Sequence, residues 1–131
     1  GYFIFYSEGK LYPAKPPTDP ATISGLNCLT KELGSSITVT EGYRTEADHK
    51  LLKKKGYKAA KNSYHKKGKA VDIRANGDLA TQNKILCAAS KCDFNWGSKY
   101  SKSDGGHVHI DMGAEGRSGN DLPDKCKCKA R

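Results

Sequence analysis

The 131-residue sequence predicts an α+β fold, a small, largely antiparallel sheet with helices on one face. Two observations carry that expectation. Runs that alternate apolar and polar residues with period two occur at SITVTEG, KAVDIRA and HVHIDM, and capped runs with apolar residues at helical spacing lie between them. These segments mix without the strict βαβ rhythm of a parallel sheet. The length suits a single domain over residues 1–131, long enough to bury a core without depending on cross-links. Residues 1–19 and the cysteine-containing tail 113–131 read as irregular.

The elements follow in order. YPAKPPTDP is a proline-rich connector that cannot turn helical until its end. Asp19 then stands as N-cap, Pro20 as first helical residue, Ile23, Leu26, Leu29 and Leu33 as the apolar stripe and Gly34 as the stop. SITVTEG makes residues 36–42 a strand with Ile37 and Val39 inward. Thr45 with Asp48 resembles a capping box, and Gly56 ends the short helix it starts. KAVDIRA is the next strand, with Val71 and Ile73 on one face and Ala70, Asp72 and Arg74 on the other. Asn76 and Gly77 turn the chain, and Asp78 caps a helix from Leu79 to about Lys91 whose Leu79, Ile85, Leu86 and Ala89 face inward. CDFNW offers a short aromatic strand or edge, HVHIDM is the last strand, and a cysteine is expected to tether the tail.

Composition narrows the function. No run of about 18 apolar residues occurs, so no membrane span is expected. The start GYFIFYSEGKLYP lacks the basic opening and long apolar centre of a signal peptide, so the chain reads as a mature, soluble form. Five cysteines, Cys28, Cys87, Cys92, Cys126 and Cys128, favour an oxidising, extracellular setting with up to two disulfides. A cysteine-built zinc site would need paired C-x-x-C units, which are absent. The formal charge is +9, and nine lysines fall between Lys50 and Lys69 with no acidic residue among them. Such a face attracts polyanions. It matches no nucleic-acid-binding signature, which leaves an anionic polysaccharide or cell-wall polymer as the partner, against the plain alternative of a solvated, solubilising face.

The chemistry gathers around SYHKKGKAVD. A carboxylate flanked by core residues is costly unless it is paired or bound to a metal, and Asp72 sits between Val71 and Ile73. Period two along HVHIDM puts His107, His109 and Asp111 on one face, with Val108, Ile110 and Met112 in the core. If the two strands share a sheet, Asp72 meets His109, and His65 reaches the same point from the loop before the strand. Two imidazoles and a carboxylate suit zinc and leave its fourth tetrahedral position open, as a catalytic site requires. Gly68 lets the loop between the ligands turn, and Ala70 leaves room beside the metal. Singly, each histidine is more often an exposed or ordinary strand residue; jointly, the spacing weakens that reading.

The string S-Y-H-K-K-G-K-A-V-D-I resembles the S-x-H-x-x-G-x-A-x-D-[IL] motif of zinc peptidases of the D-Ala-D-Ala carboxypeptidase family and of the Hedgehog signalling domain, which shares their zinc fold. VHIDM after GGH resembles the closing H-x-[HD] strand of these proteins, and LATQNKILCAASK followed by CDFNW resembles Hedgehog's helix and aromatic strand. The likeness runs from about Ile37 to Met112. It implies His65, Asp72 and His109 as zinc ligands. It also implies His107 as a non-ligand histidine that bonds the attacking water or the oxyanion. EGYRT resembles the peptidases' S-G-Y-R-[ST], which implies Arg44 as the cation that polarises the substrate carbonyl or holds its carboxylate. Hedgehog has an acidic calcium-binding run there, which Arg44 and Thr45 interrupt.

The general base is the least determined member. Several relatives use a glutamate three residues before the last ligand, where this chain has Gly106; Asp104, in SKSDGGH, is the best remaining carboxylate, and His107 is the other choice. The leading expectation is a secreted, monomeric zinc metallopeptidase of the D-Ala-D-Ala carboxypeptidase type, acting on D-amino-acid-containing stem peptides of peptidoglycan. Its alternative is a catalytically silent Hedgehog-like zinc domain that binds a protein or anionic glycan through the lysine face.

Overall fold

The computed structural model describes residues 3–57, 59–60 and 62–124. Its elements are β1 (Phe3–Phe5), α1 (Pro20–Leu33), β2 (Ile37–Glu41), α2 (Glu46–Lys54), β3 (Ala70–Ile73), α3 (Leu79–Lys91), β4 (Trp96–Lys99), a single 3-10 turn (Lys102–Asp104) and β5 (Val108–Asp111). The strands form one five-stranded sheet in the order β1-β2-β3-β5-β4. Only β1 and β2 run parallel; the other pairings are antiparallel, so the predicted class holds.

The helices begin and end where their caps require. Asp19 accepts from the Thr22 amide at the start of α1, and Gly34 closes that helix in the left-handed region at φ 69°. The Thr45 and Asp48 side chains and backbones satisfy one another in a full capping box, and Asp48 also pairs with Lys15 at 2.7 Å. Asp78 caps α3 through the Thr81 amide. Two stripe residues fall outside the core, however. Ile23 is 41% exposed and Leu79 57% exposed. The buried face of α1 is instead centred on Thr22, Gly25, Leu26, Leu29 and Thr30, and Leu79 sits at the first position of α3, before that helix reaches the sheet.

The core lies between the sheet and helices α1 and α3. Ile37, Val39, Val71, Ile73, Val108 and Ile110 point from the strands toward Leu26, Leu29, Ile85, Leu86 and Ala89 of the helices. Among the described residues α2 adds nothing to this cluster. The period-two reading of each strand is therefore correct, and the opposite face of β3 and β5 is left for polar residues.

Three boundaries differ from expectation. Residues 1–19 are not wholly irregular, because Phe3–Phe5 pairs with Ile37–Val39 as an edge strand. The aromatic strand begins only at Trp96, the last residue of CDFNW, and runs on to Lys99; Phe94 turns into the core beside Gly25, where an added Cβ would come within 2.9 Å of its ring. The tail is irregular as far as residue 124 but is not loose. It returns along β4, with Gly97 donating to Asn120, Asp121 donating to the Gly97 carbonyl and Leu122 packed on the core. The expected cysteine tether at 126 or 128 lies outside the described residues.

Cys28 of α1 is bonded to Cys92 at the end of α3, across 64 residues, and Cys87 is also disulfide-bonded. The Cys28–Cys92 bond closes a long loop and so restricts the unfolded chain strongly. Replacing both residues by alanine is expected to cost about 2–5 kcal/mol of unfolding free energy in urea. The site geometry described below should survive in the folded fraction, which zinc titration checks.

Candidate metal centre

Register brings the polar faces of four strands into line. Asp72 pairs with His109 across β3 and β5, Glu41 lies opposite Asp72 across β2 and β3, and Ser98 lies opposite His109. His65 enters from the turn-rich loop before β3. That loop is pinned by Gly68, whose φ of 72° only glycine adopts freely and whose carbonyl accepts from Thr18 and Asp19. A Cβ there would sit 1.8 Å from Thr18 Oγ1.

The sequence-predicted ligands converge. Asp72 Oδ1 lies 3.2 Å from His65 Nε2 and 2.9 Å from His109 Nδ1, and the donor atoms of all three fall within 4.8 Å of one another. A tetrahedral ion with ligands at about 2.0–2.1 Å holds its donors about 3.3 Å apart, so the set fits one zinc. The remaining ring nitrogens fit it too. His65 Nδ1 donates to the Gly42 carbonyl at 2.9 Å, which frees Nε2; His109 Nε2 donates to Asp111 Oδ2 at 2.8 Å, which frees Nδ1. Side-chain exposure is 5% for His65, 15% for His109 and 24% for His107, so His107 is the most open to solvent of the three.

The electrostatics favour a cation. Burial opposes ionisation of Asp72, yet His65 and His109 hold its carboxyl well below the usual range. Burial likewise opposes a charge on His109, but Asp111 and Asp72 together push it up to about 9. The same fields that favour a proton on His109 favour a metal in its place.

His107 stands beside this cluster. Its Nε2 is 3.7 Å from Asp72 Oδ2, and its ring stacks on Tyr100 with centroids 4.3 Å apart and planes 18° from parallel. Tyr100 feels the same charges: burial, then Asp72 and Asp104, raise its phenol. Asp104 itself is exposed in the 3-10 turn, where its carboxylate accepts from Ser101 Oγ at 3.0 Å. Arg44 is 8% exposed and is held by Glu41, with Nη2 to Oε1 at 2.9 Å and Nε to Oε2 at 3.3 Å. Tyr12 donates its hydroxyl to the same Glu41 carboxylate. Arg44 also donates its backbone amide to the His65 carbonyl, so EGYR orients the metal loop through main chain as well as side chain.

Sequence reasoning placed Asp111 on the site face but gave it no role, and it passed over Arg117, Trp96, Tyr100 and Glu41. Asp111 carried a signal: it lies one period beyond His109 on a strand whose alternate residues are all core. Trp96 and Tyr100 had none beyond their aromatic type, since their contacts with His109 and His107 arise from strand pairing across β4 and β5.

The family model described as peptidoglycan L,D-endopeptidase MepK, a peptidase M15 model, matches residues 17–117. The chain belongs to this peptidase family. It is a zinc peptidase family of the superfamily that holds the D-Ala-D-Ala carboxypeptidases and Hedgehog, as the motifs implied, and the match takes in His65, Asp72 and His109. No curated relative matches the chain.

The absent glutamate has a physical explanation in this member of the family. Gly106 adopts φ 68°, and its carbonyl accepts from the Gly77 amide at 2.9 Å, so an added Cβ would stand 2.3 Å from Gly77 N. Gly106→Glu is therefore expected to lose at least about 1–3 kcal/mol of stability without raising hydrolysis. Denaturant unfolding and a rate assay check the two halves of that statement. Isothermal titration should find one zinc per chain, and Asp72→Ala should abolish its tight binding.

Proposed function

We propose that the protein is an extracellular zinc metallopeptidase, a single catalytic domain that cuts within the peptide part of peptidoglycan. The observation that carries this reading is the His65, Asp72 and His109 cluster, with both imidazoles oriented by bonds to Gly42 and Asp111, in a chain of this family.

Zinc in this cluster supplies Lewis acidity, polarising the scissile carbonyl and lowering the pKa of the attacking water to about 7. The chain supplies the proton path. His107 Nε2, on the open side of the cluster, accepts a proton from water as its oxygen bonds to the carbonyl carbon. The same nitrogen then returns the proton to the amine as the C–N bond breaks. Stacking on Tyr100 holds the imidazole in place for both transfers. Asp104, bonded within its own turn, is the weaker candidate for this role.

Arg44 bears on which bond is cut. A carboxypeptidase needs a cation free to hold the terminal carboxylate of its substrate. Glu41 already takes two bonds from the Arg44 guanidinium, which supports an endopeptidase, the activity named for the family model, over the D-Ala-D-Ala carboxypeptidase type. In this reading Arg44 and Glu41 form a rim of donors and acceptors for the peptide backbone. The exposed lysines of α2 and of the loop after it hold the enzyme to anionic polymer of the envelope.

Zinc-loaded protein should cleave cross-linked stem peptides, lose that activity with chelator and release no D-alanine from pentapeptide stems. Release of D-alanine restores the carboxypeptidase, and silence with zinc bound favours the Hedgehog-like binding module; mass spectrometry of the products distinguishes them. His107→Ala is expected to lower kcat about 10²–10⁴-fold, whereas Asp104→Ala stays near the parent rate.

A further inference from the structure

We infer that Asp111 and Arg117 form a positioning pair that fixes which nitrogen of His109 faces the metal and ties the two histidine-bearing segments together. The inference rests on the zinc reading above but not on which bond is cut. Asp111 is 0% exposed, and every bond it makes has a direction. Its Oδ2 accepts from His109 Nε2 at 2.8 Å. Its Oδ1 accepts from the Gly113 amide at 2.9 Å and from the Arg117 guanidinium. With Oδ1 doubly engaged the carboxylate cannot rotate, so Oδ2 is held against Nε2 and Nδ1 is left for the metal.

Arg117 is itself fixed by more than charge. Its guanidinium lies 4.6 Å from the Tyr64 ring centroid and 5.0 Å from that of Trp96, and its Nε donates to the Ala114 carbonyl at 2.8 Å. Tyr64 precedes the ligand His65 and accepts from the Ala114 amide, while the Trp96 ring meets His109 edge-on with centroids 5.6 Å apart. Gly113 permits the closure, since a Cβ there would meet the Tyr64 ring at 2.5 Å. The path Tyr64, Arg117, Asp111, His109 thus joins the loop of one histidine ligand to the strand of the other, from the side away from His107. A buried carboxylate serving only the fold would need its cation but not this orientation toward a ring nitrogen.

The test reads metal binding rather than hydrolysis. Zinc affinity is measured by chelator competition for the parent protein, Asp111→Ala, Arg117→Met and Arg117→Lys, with near-UV circular dichroism to confirm folding. Nitrogen-15 NMR of the zinc-loaded proteins reports whether His109 keeps a protected Nε2–H. Asp111→Ala and Arg117→Met should each weaken zinc binding about 10–100-fold and expose that proton to exchange, with Arg117→Lys intermediate. Folded Arg117→Met that binds zinc as tightly as the parent, with Nε2–H still protected, overturns the proposal. Arg117→Met decides the matter even if Asp111→Ala does not fold, because the Arg117 side chain is partly exposed and the methionine stem keeps its place between the rings. If the variants lower zinc affinity as expected but the zinc-loaded parent protein shows no peptidase activity, the result counts against the function proposed above and leaves this pair standing.

Discussion

The Asp72 carboxylate is the constraint on which the rest of the structure depends. It sits on a strand whose two neighbours, Val71 and Ile73, are 0% and 1% exposed, so the strand cannot turn over without putting a charge into the core. An ionised group in such a place needs partners. Its surroundings offer the imidazoles of His65 and His109, whose nitrogens face it at 3.2 and 2.9 Å and can share a metal ion with it. Because side chains alternate along a strand, the core packing that fixes Val71, Ile73, Val108 and Ile110 also fixes Asp72 and His109. The hydrophobic face and the metal face are one register seen from two sides.

This coupling explains how much was legible. Strands β2, β3 and β5, the N-caps of all three helices and the gathering of His65, Asp72 and His109 follow from period two, from side-chain capping chemistry and from the spacing of histidine and aspartate. What escaped reading depends on contacts between distant segments. Phe3–Phe5 is a strand only because β2 offers it an edge, and the tail is ordered only because Asn120 and Asp121 meet β4. Ile23 and Leu79 show a related limit. Helical spacing identifies a stripe, but neighbours decide its centre and how far toward the helix ends it stays covered.

Within the site, the backbones of the glycines in EGYR and GGH carry much of the structure. Gly42 passes so close to Lys15 that a Cβ would fall 1.9 Å from the Lys15 carbonyl oxygen, and from that position the Gly42 carbonyl accepts a hydrogen bond from His65 Nδ1. Gly106 plays the same part against the Asn76–Gly77 turn, at the cost of the position where relatives carry a glutamate. In the function proposed above, proton transfer falls to a residue fixed by other means. His107 is held by a stacked tyrosine, which the β4–β5 pairing brings beside it.

The same reasoning bears on Arg44. A guanidinium as buried as this one needs its charge answered within the protein, and Glu41, directly across the sheet from Asp72, answers it. Burial would ease loss of the Arg44 proton, but Glu41 and Tyr12 hold it more firmly still. The cluster is therefore locally neutral, rich in hydrogen-bonding groups and adjacent to the ligands. Such a rim has little to offer a free terminal carboxylate, which would have to displace Glu41 from a two-point pair. In the endopeptidase reading proposed above, a peptide that continues past the scissile bond would instead bond to both partners through its amides without breaking their pair.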